Sequence, residues 1–220
     1  MVRAKIVAGN WKMHGSKAMV SELIGQLNKQ LAHATAEVVL CPPAIYLQSA
    51  LAQISADVFS IGAQDACEHQ QGAYTGQCSA DMLADIGCRY VIVGHSERRT
   101  SNGESDEVVA QKFAHVKQAS LVPILCVGEQ LSEREENQTE VVIARQIDAV
   151  FNALGPQAFV NSVIAYEPVW AIGTGLAASA EQAQAVHAFI RAQVATKDAA
   201  TADVLPLLYG GSVKPDNAAR

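Results

Sequence analysis

The chain reads as an α/β fold organised on a parallel sheet. Short apolar runs recur along its 220 residues, an amphipathic helical stretch follows almost every one, and no break in composition marks a linker. The runs are apolar throughout, as strands covered on both faces must be, and the stretches between them place apolar residues three and four positions apart.

The first strand runs from Lys5 to Gly9 and ends in Asn10-Trp11-Lys12. Ser16 then opens a helix whose stripe of Met19, Val20, Leu23, Ile24, Leu27 and Leu31 suits a helix lying on a sheet. Val38 to Cys41 is the second strand, stopped by Pro42-Pro43 and followed by a short helix from Ala44 to Ile54. Val58 to Ala63 is the third, and the polar loop Gln64 to Cys78 after it is too long for a plain connector. The fourth, Tyr90 to Val93, ends in Gly94-His95-Ser96-Glu97-Arg98-Arg99, and Ser105 caps a helix that turns Val108, Val109, Phe113 and Val116 inward. The fifth runs from Leu121 to Val127, with Pro123 early enough to be tolerated, and the charged segment Ser132 to Glu140 leads into a helix ending near Leu154. The sixth is Val163 to Tyr166; a helix from Ser179 to Thr196 and a strand from Val204 to Tyr209 make the seventh unit, after which Pro215 begins another helical turn.

This is β-α repetition in one domain spanning residues 1–220. An open doubly wound sheet and a closed (β/α)8 barrel both fit the repetition, and the polar residues at strand ends decide between them. Asn10 and Lys12, His95, Glu167, and Gly211 with Ser212 all fall just past the C-terminal ends of four different strands. An open sheet spreads such residues along one edge, whereas a barrel gathers them over one mouth.

With 50% hydrophobic and 17% charged residues the chain can build a sizeable core. No run of eighteen apolar residues is present, and no signal peptide is visible ahead of the first strand. Five cysteines, Cys41, Cys67, Cys78, Cys88 and Cys126, without CxxC spacing suit a reducing compartment, so the expectation is a cytoplasmic protein without membrane contact. Cys67, His69 and Cys78 match no zinc spacing, and no metal is expected. A net charge of −6 argues against nucleic acid or an anionic membrane as partner. An anionic substrate would then need a local cation or a cradle of backbone N–H groups.

The sixth strand delivers one carboxylate, Glu167, at its tip. Pro168 fixes the chain after it, Val169-Trp170-Ala171-Ile172 form an apolar flap, and Gly173-Thr174-Gly175 can swing before Ser179 and Gln182 cap the next helix. That order suits a catalytic base beneath a moving lid. Gly173-x-Gly175-x-x-Ala178 also matches a relaxed dinucleotide fingerprint, but such a glycine turn follows its strand directly, and here Glu167 and the flap intervene. Taken singly, His95 reads as a satisfied polar residue, Lys12 as a surface charge, Gly210-Gly211 as a turn and Glu97 as a structural partner of Arg98 or Lys12. His14, His33, His115 and His187 have no companions and read as structural.

Together, however, Ala8-Gly9-Asn10-Trp11-Lys12-Met13, Val93 to Arg99, Ala165 to Gly175 and Tyr209-Gly210-Gly211-Ser212-Val213 resemble the signature blocks of the triosephosphate isomerase family, in order and at family spacing over nearly the whole chain. The resemblance implies a TIM (β/α)8-type barrel, here with about seven β-α units. It implies interconversion of dihydroxyacetone phosphate and glyceraldehyde 3-phosphate, as in glycolysis and gluconeogenesis, with no metal or organic cofactor. Glu167 would be the general base, and His95 the neutral electrophile that polarises the carbonyl. Lys12 and Asn10 would steady the enediolate and anchor the substrate's charge. Gly173, Gly211 and Ser212 would bind the phosphate, and Pro168 to Thr174 would form the lid. Gly72-Ala73-Tyr74-Thr75-Gly76 resembles the family's dimer loop, with Thr75 at its tip, and implies a homodimer.

The family continues past Arg220 with an eighth unit, so the expectation is an exposed sheet edge, an altered homo-oligomer, and weakened phosphate affinity with impaired turnover. A catalytically weak or inactive barrel used only for assembly or binding is the alternative. A different phosphate-binding barrel enzyme is disfavoured by the Glu167 lid and the His95 block.

Overall fold

In a computed structural model, residues 3–31, 33–55, 58–172, 178–213 and 218 are described. Contacts divide the chain into two compact units, Val2–Val93 with Gln111–Ile124, and Gly94–Ala110 with Leu125–Arg220.

In the first of these, β1 (Ile6–Asn10), β2 (Glu37–Cys41), β3 (Phe59–Ala63) and β4 (Tyr90–Val93) pair in parallel in chain order. The register sets Ile6 opposite Glu37, Val38 opposite Phe59, and Gly62 opposite Tyr90. The start of β5 (Val122–Val127) joins them through Val122 N–H, which donates to Arg89 C=O at 2.9 Å. Helix α1 (Lys17–Gln30) is capped by Ser16, whose hydroxyl accepts from Met19 N–H, and it buries Val20 and Ile24 completely. Each such side chain contributes about 1.5–3 kcal/mol. A 3-10 turn (Ala44–Tyr46), α2 (Leu47–Leu51) and α3 (Ala80–Asp85) complete the connections.

The second unit holds α4 (Ser96–Ser101), the start of α5 (Asp106–Gln118), the end of β5, α6 (Leu131–Glu135) and α7 (Thr139–Leu154). It continues with β6 (Val163–Tyr166), a 3-10 turn (Val169–Ala171), α8 (Ala180–Ala195), α9 (Ala199–Val204) and β7 (Leu207–Tyr209). Strand β6 runs parallel to β7 with Ile164 opposite Leu207. Every residue of β4 and β6 is buried, as their unbroken apolar sequences require. The strands follow the chain from β1 to β7, and the fold is the predicted α/β class, a TIM (β/α)8-type barrel fold with seven strands among the described residues.

Several elements differ from the sequence reading. The predicted strand Val204 to Tyr209 begins only at Leu207, because Asp198 caps a further helix, α9, that ends at Val204. The helix expected over Ala44 to Ile54 begins as a 3-10 turn and ends at Leu51. Helices α3, α4 and α6 escape the sequence reading, since five or six residues span too few turns to show a period. The capping box on α8 is present as expected, Ser179 and Gln182 each bonding the other's N–H. The turn expected at Pro215 lies outside the described residues. Among the described residues no helix is long and apolar enough to cross a membrane.

Candidate active site

Glu167 follows β6 directly and is 6% exposed, a carboxylate taken almost wholly out of water. Such a group must be bonded to be tolerated. Its Oε2 accepts Ser96 N–H at 3.0 Å, and its Oε1 lies 3.2 Å from Nε2 of His95. Its own N–H donates to Val127 C=O at 2.8 Å, which fixes the main chain from which the carboxylate projects.

His95 is 7% exposed and is the N-cap of α4. Glu97 N–H donates to its Nδ1 at 3.2 Å. A ring nitrogen that accepts carries no proton, so this network leaves Nε2, 3.2 Å from Glu167 Oε1, as the ring nitrogen that can carry one. The Glu97 carboxylate, 3.7 Å from Nδ1, is half exposed and makes no bond with an accepting nitrogen. Arg98, one of the two partners expected for Glu97, donates through Nε to Glu104 at 2.6 Å. The arrangement at Glu167 is therefore a buried carboxylate facing the Nε2 of a buried imidazole at 3.2 Å.

After β7, Gly210 N–H donates to Tyr166 C=O at 2.7 Å, and Ser212 Oγ donates to Ala171 C=O at 2.8 Å. A Cβ at Gly210 would stand 2.8 Å from Glu167 Cγ, so glycine there leaves room for the carboxylate. Gly211 lies between these two anchors, half-buried. Of the expected lid, Pro168 to Ile172 is described and contains the 3-10 turn, while Gly173 and Thr174 lie outside the described residues.

The lid's first half is anchored by a residue the sequence did not single out. Glu129 is fully buried, and its carboxylate accepts Trp170 Nε1–H at 2.9 Å, Tyr166 O–H at 3.1 Å and Arg134 Nη1 at 3.1 Å. The Arg134 guanidinium also lies 4.6 Å from the centroid of the Trp170 ring. Burial first, and the adjacent Glu129 charge second, push the Tyr166 hydroxyl well above the ordinary tyrosine range, so it stays a donor. In the sequence Glu129 looks like any loop acid; a Trp and a Tyr needing buried acceptors were the available signal.

Asn10 and Lys12 lie at the end of β1 in the other unit. Lys12 has φ +51°, in the left-handed region that costs a non-glycine residue about 1–3 kcal/mol. Three bonds hold the segment there. Lys12 N–H donates to Asn10 Oδ1 at 2.8 Å, and Gln64 Nε2 donates to Lys12 C=O at 2.8 Å and to Cys41 C=O at 2.9 Å. Gln64 is thus a second residue that sequence reasoning passed over. Next to it, Asp65 accepts two bonds from Lys112 Nζ, at 2.9 and 3.0 Å, and Lys112 is only 2% exposed.

Thr75 stands exposed in the loop after β3, beside Tyr74, which stacks on His69 at 4.1 Å. In the same unit Met13 is 95%, Ile45 82% and Met82 57% exposed. Among the described residues no group of three His, Cys, Asp or Glu side chains could hold a metal ion.

A family model described as triosephosphate isomerase matches residues 5–220. The chain is 52% identical over 217 residues to the triosephosphate isomerase of Xanthomonas campestris pv. campestris (strain 8004), covering 99% of this chain and 86% of that protein. It is 54% identical over 217 residues to the triosephosphate isomerase of Stenotrophomonas maltophilia (strain K279a), with the same shares covered. Against that of Sodalis glossinidius (strain morsitans) it is 52% identical over 219 residues.

Proposed function

The chain belongs to the triosephosphate isomerase family and is an isomerase, and from that premise we propose that it interconverts dihydroxyacetone phosphate and D-glyceraldehyde 3-phosphate with Glu167 as base and His95 as electrophile. The observation that carries this reading is a buried carboxylate whose Oε1 lies 3.2 Å from Nε2 of His95, while the other ring nitrogen accepts Glu97 N–H.

The reaction moves a proton between adjacent carbons. Glu167 takes it from the carbon next to the carbonyl, and the oxygen that gains charge receives the Nε2–H of His95. The enediolate collapses when the carboxylate returns the proton to the neighbouring carbon, while His95 relays the hydroxyl proton from the oxygen that becomes the new carbonyl to the oxygen that was the old one. A positioned base is worth about 10²- to 10⁴-fold, and a preorganised donor at the oxyanion about 10²- to 10³-fold. Neutral imidazole suits the donor's task, since it has a proton to share and no positive charge to lose. To act, Glu167 exchanges its bond to Ser96 N–H for the substrate C–H.

Lys12 and Asn10 supply charge and a polar anchor for the substrate, and the N–H groups near Gly173, Gly211 and Ser212 hold its phosphate. The lid, Pro168 to Thr174, closes over the intermediate, with Glu129 holding Trp170 at its fixed end. The chemistry uses no metal or organic cofactor, and its place is glycolysis and gluconeogenesis in the cytoplasm. Exposed Tyr74, next to Thr75 in the chain, and exposed Met13, Ile45 and Met82 of the same unit support assembly as a homodimer.

The test is the rate of glyceraldehyde 3-phosphate isomerisation by the purified 220-residue chain beside Glu167→Ala. The expected result is turnover that the substitution lowers by at least about 10². Equal rates in the two proteins would refute the assignment.

A further inference from the structure

Helix α7 buries the stripe Val142, Ile143, Gln146, Ile147, Val150 and Phe151, and one member of it is polar. Gln146 is 5% exposed, and a carboxamide in that position is costly unless both of its ends are bonded. Both ends go to a single residue. Gln146 Oε1 accepts Gly128 N–H at 2.9 Å, and Gln146 Nε2 donates to Gly128 C=O at 3.1 Å.

Gly128 is the first residue after β5, where the ladder has run out. In a strand, N–H and C=O of successive residues point to alternate sides, so the groups of Gly128 face away from the neighbour bonded by Val127 and Glu129. That neighbour is the catalytic segment. Val127 C=O accepts Glu167 N–H at 2.8 Å, and Glu129 C=O accepts Val169 N–H at 3.2 Å. Between these bonds the two main chains touch: a Cβ on Gly128 would fall 1.8 Å from the carbonyl oxygen of Glu167. Gln146 thus bonds Gly128 just past the end of β5, while Glu167 is bonded by Val127 on the other side.

We propose that Gln146 is a positioning residue for Glu167: by clamping Gly128 it sets the main chain on which the base is carried, and so the aim of the carboxylate. The proposal rests on the reading of Glu167 as the base. Misplacing a reacting group by about 1 Å costs on the order of 10²-fold. Loss of the clamp therefore acts on turnover and leaves phosphate recognition alone.

The experiment is steady-state kinetics of the full chain, of Gln146→Met and Gln146→Glu, and of Val150→Ala, with inorganic phosphate as competitive inhibitor. Val150→Ala removes fully buried packing from the same helix and reports what destabilisation alone does. Gln146→Met, of similar volume with neither bond, is expected to lower kcat about 10- to 100-fold while KM and phosphate inhibition stay near the parent's. Val150→Ala is expected to keep its kcat. The carboxyl introduced by Gln146→Glu can both donate to and accept from Gly128 only while it is protonated, so the ratio of that variant's kcat to the parent's should fall as pH rises. This second variant also decides the matter should Gln146→Met fold poorly.

A parent-like kcat in Gln146→Met, an equal loss in Val150→Ala, or a ratio for Gln146→Glu that does not change with pH would each overturn the proposal. An active parent with any of these results leaves the isomerase reading standing. A parent no faster than Glu167→Ala overturns both.

Discussion

Glu167 and Lys12 are held in different ways. Glu167 is anchored at its side chain as well as its main chain: the carboxylate is buried, Oε2 accepts a backbone N–H, and Oε1 lies 3.2 Å from His95 Nε2. Lys12 is fixed by its main chain, held in a left-handed conformation by the side chains of Asn10 and Gln64. On the proposed reading a base must meet one carbon-bound proton within a few tenths of an ångström, which a buried, bonded carboxylate suits, whereas a cation that balances a dianion acts over a longer range.

The largest test of this contrast is His95→Ala, which removes the donor facing Glu167. We expect kcat to fall about 10²- to 10³-fold with little change in KM, measured with either triose phosphate. A loss confined to KM would mean that the pair binds substrate and does not activate it.

Next in size is Lys112→Met. The substitution leaves Asp65, largely buried, without the ammonium that now gives it two bonds, and a broken buried pair costs about 3–5 kcal/mol, less here because Asp65 keeps some water. A lowered unfolding midpoint in denaturant checks this. Because Asp65 adjoins Gln64, KM should rise as well, whereas stability loss with unchanged KM would separate the ion pair from the Lys12 region.

Gln64→Leu is milder. It strips these donors from Lys12 C=O and Cys41 C=O, at a cost of about 1–3 kcal/mol, and frees Lys12 to leave its strained conformation. The expected outcome is a higher KM with kcat less affected, the reverse of the pattern for His95→Ala. Equal changes in kcat for the two variants would erase the comparison.

The smallest effect is on the pH dependence of stability. Burial foremost, with Arg191 nearby, lowers the pKa of His187 below its ordinary value of 6.5, and its bond to Leu208 C=O only partly opposes this. The unfolded chain therefore takes up the proton first. This contribution is whole above about pH 6.5 and is lost as pH falls from there towards the lower native value. His187→Gln should flatten the decline of the denaturation midpoint over that interval, and an unchanged slope would assign the decline to other groups.

The same contrast explains what the sequence disclosed. Glu167 and His95 stood out in the sequence because each falls past an apolar run within a block that resembles the family's signatures; taken singly, His95 reads as a satisfied polar residue. The seven strands were legible from their apolar runs, apart from residues 204–206, where α9, capped by Asp198, ends at Val204 and β7 begins only at Leu207. The residues that hold the site were not legible. Gln64, Glu129 and Gln146 are ordinary surface types, and only three-dimensional packing turns them inward. Gln146 left a trace, a lone polar residue within the apolar stripe of α7. Gln64 left none, because its partners are carbonyls of Lys12 and Cys41, far away in the chain.

The most direct measurement is the ¹⁵N spectrum of the His95 ring at neutral pH, assigned by its loss in His95→Ala. The hydrogen bonds predict one protonated and one bare nitrogen, the bare one being Nδ1, which accepts from Glu97 N–H. A ring protonated on both nitrogens would contradict the account, because an imidazolium cannot accept that bond and would form an ion pair with Glu167 in place of a carboxylate beside an uncharged ring.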